Sequence, residues 1–259
     1  MQKSKLLVAL LGTLVAMPAM ADSPFSANVS LTTDYLFRGI SQTGHKPALQ
    51  GGFDYAGPMG FYAGVWASSI SWLGDAYAAT AGAAGADSAG TEIDTYFGIS
   101  NSFATDFTYD VGFLRYNYPG TYPAGATKGD TNEIYGKIGY KWVSLKYSRS
   151  LGDTFGTASA SGSDYLDLSA SVPLADDFSV GAHYGKQKFK GPNAGTGNGY
   201  LGYSDYNVSV SKDMGEGYSV SLMYSNTNAH GNPGEAYSWG APAYDAGKGT
   251  AVLTISKSM

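Results

Sequence analysis

The sequence predicts an all-β fold, a transmembrane antiparallel up-and-down β-barrel of twelve strands. Three observations predict it. Segments of about ten residues alternate polar and apolar side chains, the period-two mark of a strand with two unlike faces. Their connections alternate between tight turns and long loops, as in barrels with short periplasmic turns and longer extracellular loops. Tyrosine (21 of 259 residues) and glycine (36) are both abundant, which aromatic girdles and tight turns account for.

The N-terminus comes first. Lys3 and Lys5 form a positive head, Leu6 to Met17 an apolar stretch, and Ala19-Met20-Ala21 a small-residue cleavage pattern. This is the pattern of a secretory signal and is too short to span a bilayer as a helix, which needs about 20 residues. Cleavage is expected before Asp22, so residues 1–21 are signal peptide and 22–259 one barrel domain. Losing two lysines takes the net charge from -5 to -7. An acidic chain without a long basic run argues against nucleic acid as partner. With no cysteines, disulfides and thiolate metal sites are excluded.

Strands are expected at 25–38, 47–56, 60–72, 91–101, 107–117, 130–141, 142–150, 163–172, 177–187, 203–212, 216–226 and 249–258. Most approach the 9–11 residues that a tilted strand needs to cross the hydrocarbon core. The tight joins are Gly57 to Gly60, Ser102 to Asp106, Tyr140-Lys141-Trp142, Pro173 to Asp177 and Asp213 to Glu216. The long joins are 39–46, 73–90, 118–129, 151–162, 188–202 and 227–248. Structureless loops of such length are uncommon in compact soluble domains. Two membrane faces explain them, and an even strand number returns both termini to the short-turn, periplasmic side of a Gram-negative outer membrane.

The faces agree. In the ninth strand Phe178, Val180, Ala182 and Tyr184 oppose Ser179, Gly181, His183 and Gly185. In the eleventh, Tyr218, Val220, Leu222 and Tyr224 oppose Ser219, Ser221, Met223 and Ser225. Aromatics are expected in two girdles: Phe53, Tyr55, Phe61, Phe107, Phe178 and Tyr218 beside the turns, and Tyr35, Phe37, Tyr147, Tyr184 and Tyr224 toward the loops.

Three segments carry a family resemblance. They are Asp34-Tyr35-Leu36-Phe37-Arg38-Gly39-Ile40-Ser41-Gln42-Thr43 with Pro47 to Asp54, Gly60 to Ser68, and Glu92 to Gly98. Over roughly residues 25–100 they resemble the TorF family of outer-membrane proteins taken to be porins. The resemblance implies a signal-bearing outer-membrane barrel that passes small solutes; it carries no catalytic residues and no substrate. Such barrels usually end in an aromatic residue, whereas this sequence ends Lys257-Ser258-Met259. Met259 shares parity with Ala251, Leu253 and Ile255, so it is expected to fill the same lipid-facing position.

Strand parity nominates a lumen lining. Asp34, Asp54, Glu92, Asp94, Asp110, Glu133, Asp167 and Asp205 are expected to point inward, with Arg38, Lys137, Lys141, Lys146 and His183. Eight acids against four bases favour cations; an ordinary solvated or self-paired lining fits the same residues. Arg38 is expected to face Asp54 or Glu92 and set a constriction, or to serve the hairpin structurally. Arg115, Arg149, Lys186, Lys188 and Lys190 take outward parity near the long loops. They suit either snorkelling or a collar that binds lipopolysaccharide phosphates.

Catalysis finds little support. Of the three histidines, His45 and His230 lie in loops, and spacing assembles no nucleophile, base and orienter. Gly195-Thr196-Gly197-Asn198-Gly199 opens no helix after a strand and so is no phosphate loop. No metal and no cofactor is expected. The leading expectation is a non-enzymatic porin for passive diffusion of small hydrophilic solutes or ions. Its partners would be the outer membrane, lipopolysaccharide and the barrel assembly machinery. A closed structural or ligand-binding barrel and an outer-membrane hydrolase are the alternatives.

Overall fold

The computed structural model describes residues 23–81, 89–122, 124, 126–191 and 198–259. The expected signal segment lies outside them, as do the first three residues of the 195–199 glycine run. Twelve strands close into one ring, each antiparallel to both neighbours. In chain order they are β1 (Phe25–Thr32), β2 (Ala48–Ala56), β3 (Phe61–Ser69), β4 (Thr91–Ala104), β5 (Phe107–Asn117) and β6 (Thr131–Tyr140). The second half is β7 (Val143–Ser150), β8 (Asp164–Pro173), β9 (Phe178–Lys188), β10 (Tyr203–Gly215), β11 (Tyr218–Thr227) and β12 (Thr250–Ser258). Consecutive strands pair, and β1 also pairs with β12, Asn28 opposite Ser258 and Thr32 opposite Thr254. Closure removes every sheet edge from the ring.

All twelve expected strands are present, with four bounds changed by three residues or more, one of them the tenth, which runs on to Gly215 with a bulge between Asp213 and Gly215. The first leaves the ring at Thr32, not at 38. The third stops at Ser69, because Trp72–Ala81 form a helix, α1. The fourth runs on to Ala104 with a bulge between Ser102 and Ala104. Tyr35 and Phe37 alternate as strand residues would, but they turn into the barrel. Their apolar faces find a protein partner there, a contact no local pattern encodes.

The turns follow backbone chemistry. Between β10 and β11, Glu216 and Gly217 have φ of 52° and 80°, the double left-handed pair of a type I′ hairpin. Between β6 and β7, Lys141 turns the chain at φ 51°. That corrects one expectation: Lys141 points to solvent beside Asp106 (3.9 Å) and does not line the lumen.

The outer wall is apolar. Leu31, Leu49, Phe97, Val111, Ile138, Leu168, Val208, Leu222 and Ile255 all present large side chains outward. In water so continuous a belt would be far beyond the few hundred Å² that soluble proteins expose. Phe53, Phe61, Phe107, Phe178 and Tyr218 edge it at the turn end, and Tyr147, Tyr184 and Tyr224 at the loop end. Tyr35 and Phe37, expected in that second girdle, pack inside instead.

Inside, tyrosines fill the bore by lying across glycines of the next strand. Tyr96 stands opposite Gly64 and Tyr135 opposite Gly112. A Cβ at Gly64 would meet the Tyr96 ring at 2.6 Å, and one at Gly112 the Tyr135 hydroxyl at 2.5 Å. Only glycine leaves that room.

Candidate functional site

The site is the lumen together with the loops that cover its long-loop end. The segment 33–47 starts it. Leu36–Phe37 pairs with Ile40–Ser41 about a turn at Arg38 (φ 48°) and Gly39 (φ 80°). This small hairpin drops into the bore. Its tip carries Arg38 to the far wall, where the guanidinium donates to Glu133 on β6 (2.7 Å) and to Gln187 Oε1 on β9 (2.7 Å). The rings of Phe37 and Tyr165 flank it at 4.7 and 4.3 Å. The expected partners were Asp54 or Glu92. Arg38 reaches neither, because the hairpin crosses the lumen and does not lie along its own wall.

Asp34 belongs to this loop, not to a strand face. Its carboxylate accepts from Ser41 Oγ (2.7 Å) and Thr43 Oγ1 (3.0 Å), and His45 Nδ1 lies 2.8 Å away. The other nitrogen of His45 meets the Asp245 carbonyl at 2.8 Å. The Asp34 carboxylate holds the His45 imidazole above its ordinary range, against partial burial, which would lower it, and with help from the Asp245 carbonyl.

Two further loops join the first. The amides of Ser71 and Trp72, where α1 begins, donate to the Gln42 carbonyl (2.8 and 3.1 Å). Segment 228–249 folds inward too: the Ser41 amide donates to Ala246 O (2.8 Å), and Tyr244 OH to Asp75 Oδ2 on α1 (2.8 Å). Trp72 packs on Trp239 (5.7 Å) and Tyr118 (5.4 Å). Tyr35, Ile40, Leu73 and Tyr237 complete a buried apolar core. The loops thus form a lid with its own core.

Below the lid, a set of acids and lysines lies on the inner strand faces. Asp110, Lys137, Lys146 and Asp167 occupy one row across β5 to β8, with the two lysines directly opposite each other. Tyr62 donates to Asp110 (2.6 Å) and is hydrogen-bonded to Tyr135 three strands away, while Tyr96 donates to Asp54. Glu92 and Asp94 lie side by side on β4, both buried.

One constellation was missed by spacing. His183 on β9 bridges Asp167 on β8 (Nδ1, 3.0 Å) and Asp205 on β10 (Nε2, 2.8 Å). Ser169 Oγ lies 3.2 Å from Nδ1 and donates to Asp167 (2.6 Å); Tyr165 OH reaches Asp205 (3.0 Å). Only inter-strand register brings these residues together. Both imidazole nitrogens are committed to carboxylates, so neither is free to take the Ser169 proton. The cluster ties three strands; it does not make a nucleophile.

Outside, Arg149, Lys186 and Lys188 are exposed on outward parity, as expected. Arg115 is instead paired with Asp130 (3.3 Å) and Lys190 with Asp164 (3.8 Å). Among the described residues no group of three or more His, Cys, Asp or Glu side chains could hold a metal ion.

Solved structures share this architecture. A KdgM porin aligns with TM-score 0.51 and 9% identity over 90% of this chain and 97% of its own. A KdgM porin in complex with disordered oligogalacturonate aligns at 0.50, also 9% identical, over 90% and 96%. The NanC porin aligns at 0.51 and 9% over 90% and 97%. At this identity the likeness is one of fold. No curated protein matches the chain in sequence. A family model does, over residues 18–259. The chain therefore belongs to the bacterial family of unknown function known as Gcw_chp.

Proposed function

We propose that this protein is a non-enzymatic outer-membrane channel for passive diffusion of small hydrophilic solutes or ions, with a weak preference for cations. The observation that carries the reading is the inversion of the fold: apolar side chains outside, charged and hydroxyl-bearing ones inside a closed ring. Backbone groups satisfied within a closed barrel and an apolar belt are what a hydrocarbon layer requires. The likeness of residues 25–100 to the TorF family supports the same class. The short turns and both described termini would then face the periplasm, and the lid the cell exterior. The barrel assembly machinery would insert it.

Seven acids on inward strand faces, with Asp34 taken up in the lid, now stand against three inward bases, Arg38, Lys137 and Lys146, together with His183. That balance supports cations over an acidic sugar such as the oligogalacturonate bound to KdgM. Several acids are engaged by Arg38, His183 and tyrosines, so the preference is weak. Twelve strands also give a narrow bore. Outside, Arg149, Lys186 and Lys188 would contact lipopolysaccharide phosphates.

The second reading is a closed barrel whose lid binds a ligand or merely stabilises the envelope. The crossing of the lumen by Arg38 favours it. Planar-bilayer recording separates the two. Small, weakly cation-selective channels are expected, with selectivity fading as salt shortens the Debye length below roughly 8–10 Å. Arg38→Gln should raise conductance by loosening the hairpin. An anion-selective reversal potential would sink the charge assignment. Folded barrels silent in both forms would favour the closed reading.

A further inference from the structure

The acid pair on β4 has a property that the other lumen acids lack. Asp34, Asp54, Asp110, Glu133, Asp167 and Asp205 each accept from a neighbouring side chain. Glu92 accepts from Tyr35 OH at Oε1 (3.0 Å), and the Tyr118 hydroxyl and the Asp94 carboxyl also lie in hydrogen-bonding reach of its carboxyl. Glu92 Oε2 and the Oδ1 of Asp94 are buried with no hydrogen-bond partner. The two residues are 1% and 5% exposed, and no described Lys, Arg or His lies within 4.0 Å of either. Buried carboxylate oxygens without a donor or a counter-charge are costly, so two kept together must share a proton or take a cation.

The surroundings say what kind of partner fits. In the ring, Asp94 stands between Trp66 of β3 and Tyr116 of β5, its direct register neighbours. Tyr35 of the lid hairpin sets its ring edge-on to Trp66 at 5.4 Å. Tyr118, at the end of β5, is buried in the same cluster. Aromatic faces and unpaired carboxylate oxygens both attract a cation. A hard metal ion would want six or more oxygen ligands, which two carboxylates do not provide.

We propose that Glu92, Asp94, Trp66, Tyr116 and Tyr35 form a binding site for a primary ammonium group, beneath the lid. Three N–H donors would answer the two orphan oxygens, and the charge would rest among the rings. The hairpin that bears Tyr35 roofs the site, so entry requires the lid to move. The site deepens the channel reading and rests on it for solute access.

Binding to the refolded full-length barrel in detergent, measured by saturation-transfer NMR with n-butylammonium at neutral pH, tests this. Wild type should bind. The isosteric pair Glu92→Gln with Asp94→Asn should weaken binding about tenfold or more, with unchanged heat-modifiable gel mobility. Asp94→Asn alone should weaken it by a smaller factor and serves where the double variant does not fold. Arg38→Gln should bind at least as well as wild type, because its lid is looser. Equal affinity in wild type and double variant would overturn the site. So would no binding by either wild type or Arg38→Gln, which would leave a proton shared between the two carboxyls. Conductance is a separate readout: binding without conductance would defeat the channel reading and leave the site standing.

Discussion

His45 links two segments that are distant in sequence, Asp34 on its own loop and the Asp245 carbonyl near the chain's end. Lys248 opposes its charge, and Tyr244 lies edge-on at 5.8 Å. Because the imidazole is held above its unfolded value, its charge stabilises the lid at pH below the unfolded range. That contribution is lost as pH rises through the folded value. The ring is partly exposed, which weakens the effect through solvent screening. Protease digestion of lid segments in the folded barrel should therefore be slow near about pH 6 and faster toward about pH 8.5. His45→Gln should flatten that profile. A wild-type rate independent of pH would show that the bridge carries no such load. At this scale the sequence was legible in part. Glu133, Lys137 and Asp167 lie on the strand face that parity nominates. Parity misplaced Lys141, which sits in a turn where alternation has no meaning, and it could not find Arg38's partner across the bore.

Strands were the most legible elements, because period two and turn chemistry are local. The seam is the element that depends most on the last residues. Met259 exchanges backbone hydrogen bonds with Ala27 (2.8 and 3.0 Å) and points outward. Met259→Phe should keep the folded yield. Met259→Asp should lower it modestly, since a charge near the lipid edge costs roughly 0–1 kcal/mol. Equal yields by heat-modifiable mobility would show that the position is not read by lipid. The helix α1 was not legible. Its residues, Trp72–Ala81, follow the strand after only two residues, and Trp72 packs on Trp239 of a loop 167 residues on.

For the whole molecule, loop length sets the orientation in the membrane. Epitope tags at Gly234 should label on intact cells, since an exposed loop tip tolerates insertion, and tags at Pro58 or Asp213 should stay hidden. Labelling at Pro58 with silence at Gly234 would reverse the assignment. The sequence by itself determined the ring: twelve alternating segments, tight turns between pairs, an apolar outside and a polar inside. Those are period-two and backbone-conformation effects, and each is written within ten residues. The tertiary structure alone decided what happens in the bore. The hairpin at 36–41, α1 and segment 228–249 are drawn together by burial of Trp72, Trp239 and Tyr237, contacts between residues far apart in the chain. Only that packing puts Arg38 across the lumen and leaves Glu92 and Asp94 beneath a roof without a partner. A side chain's face follows from its neighbours in sequence, but its partner follows from closure of the ring.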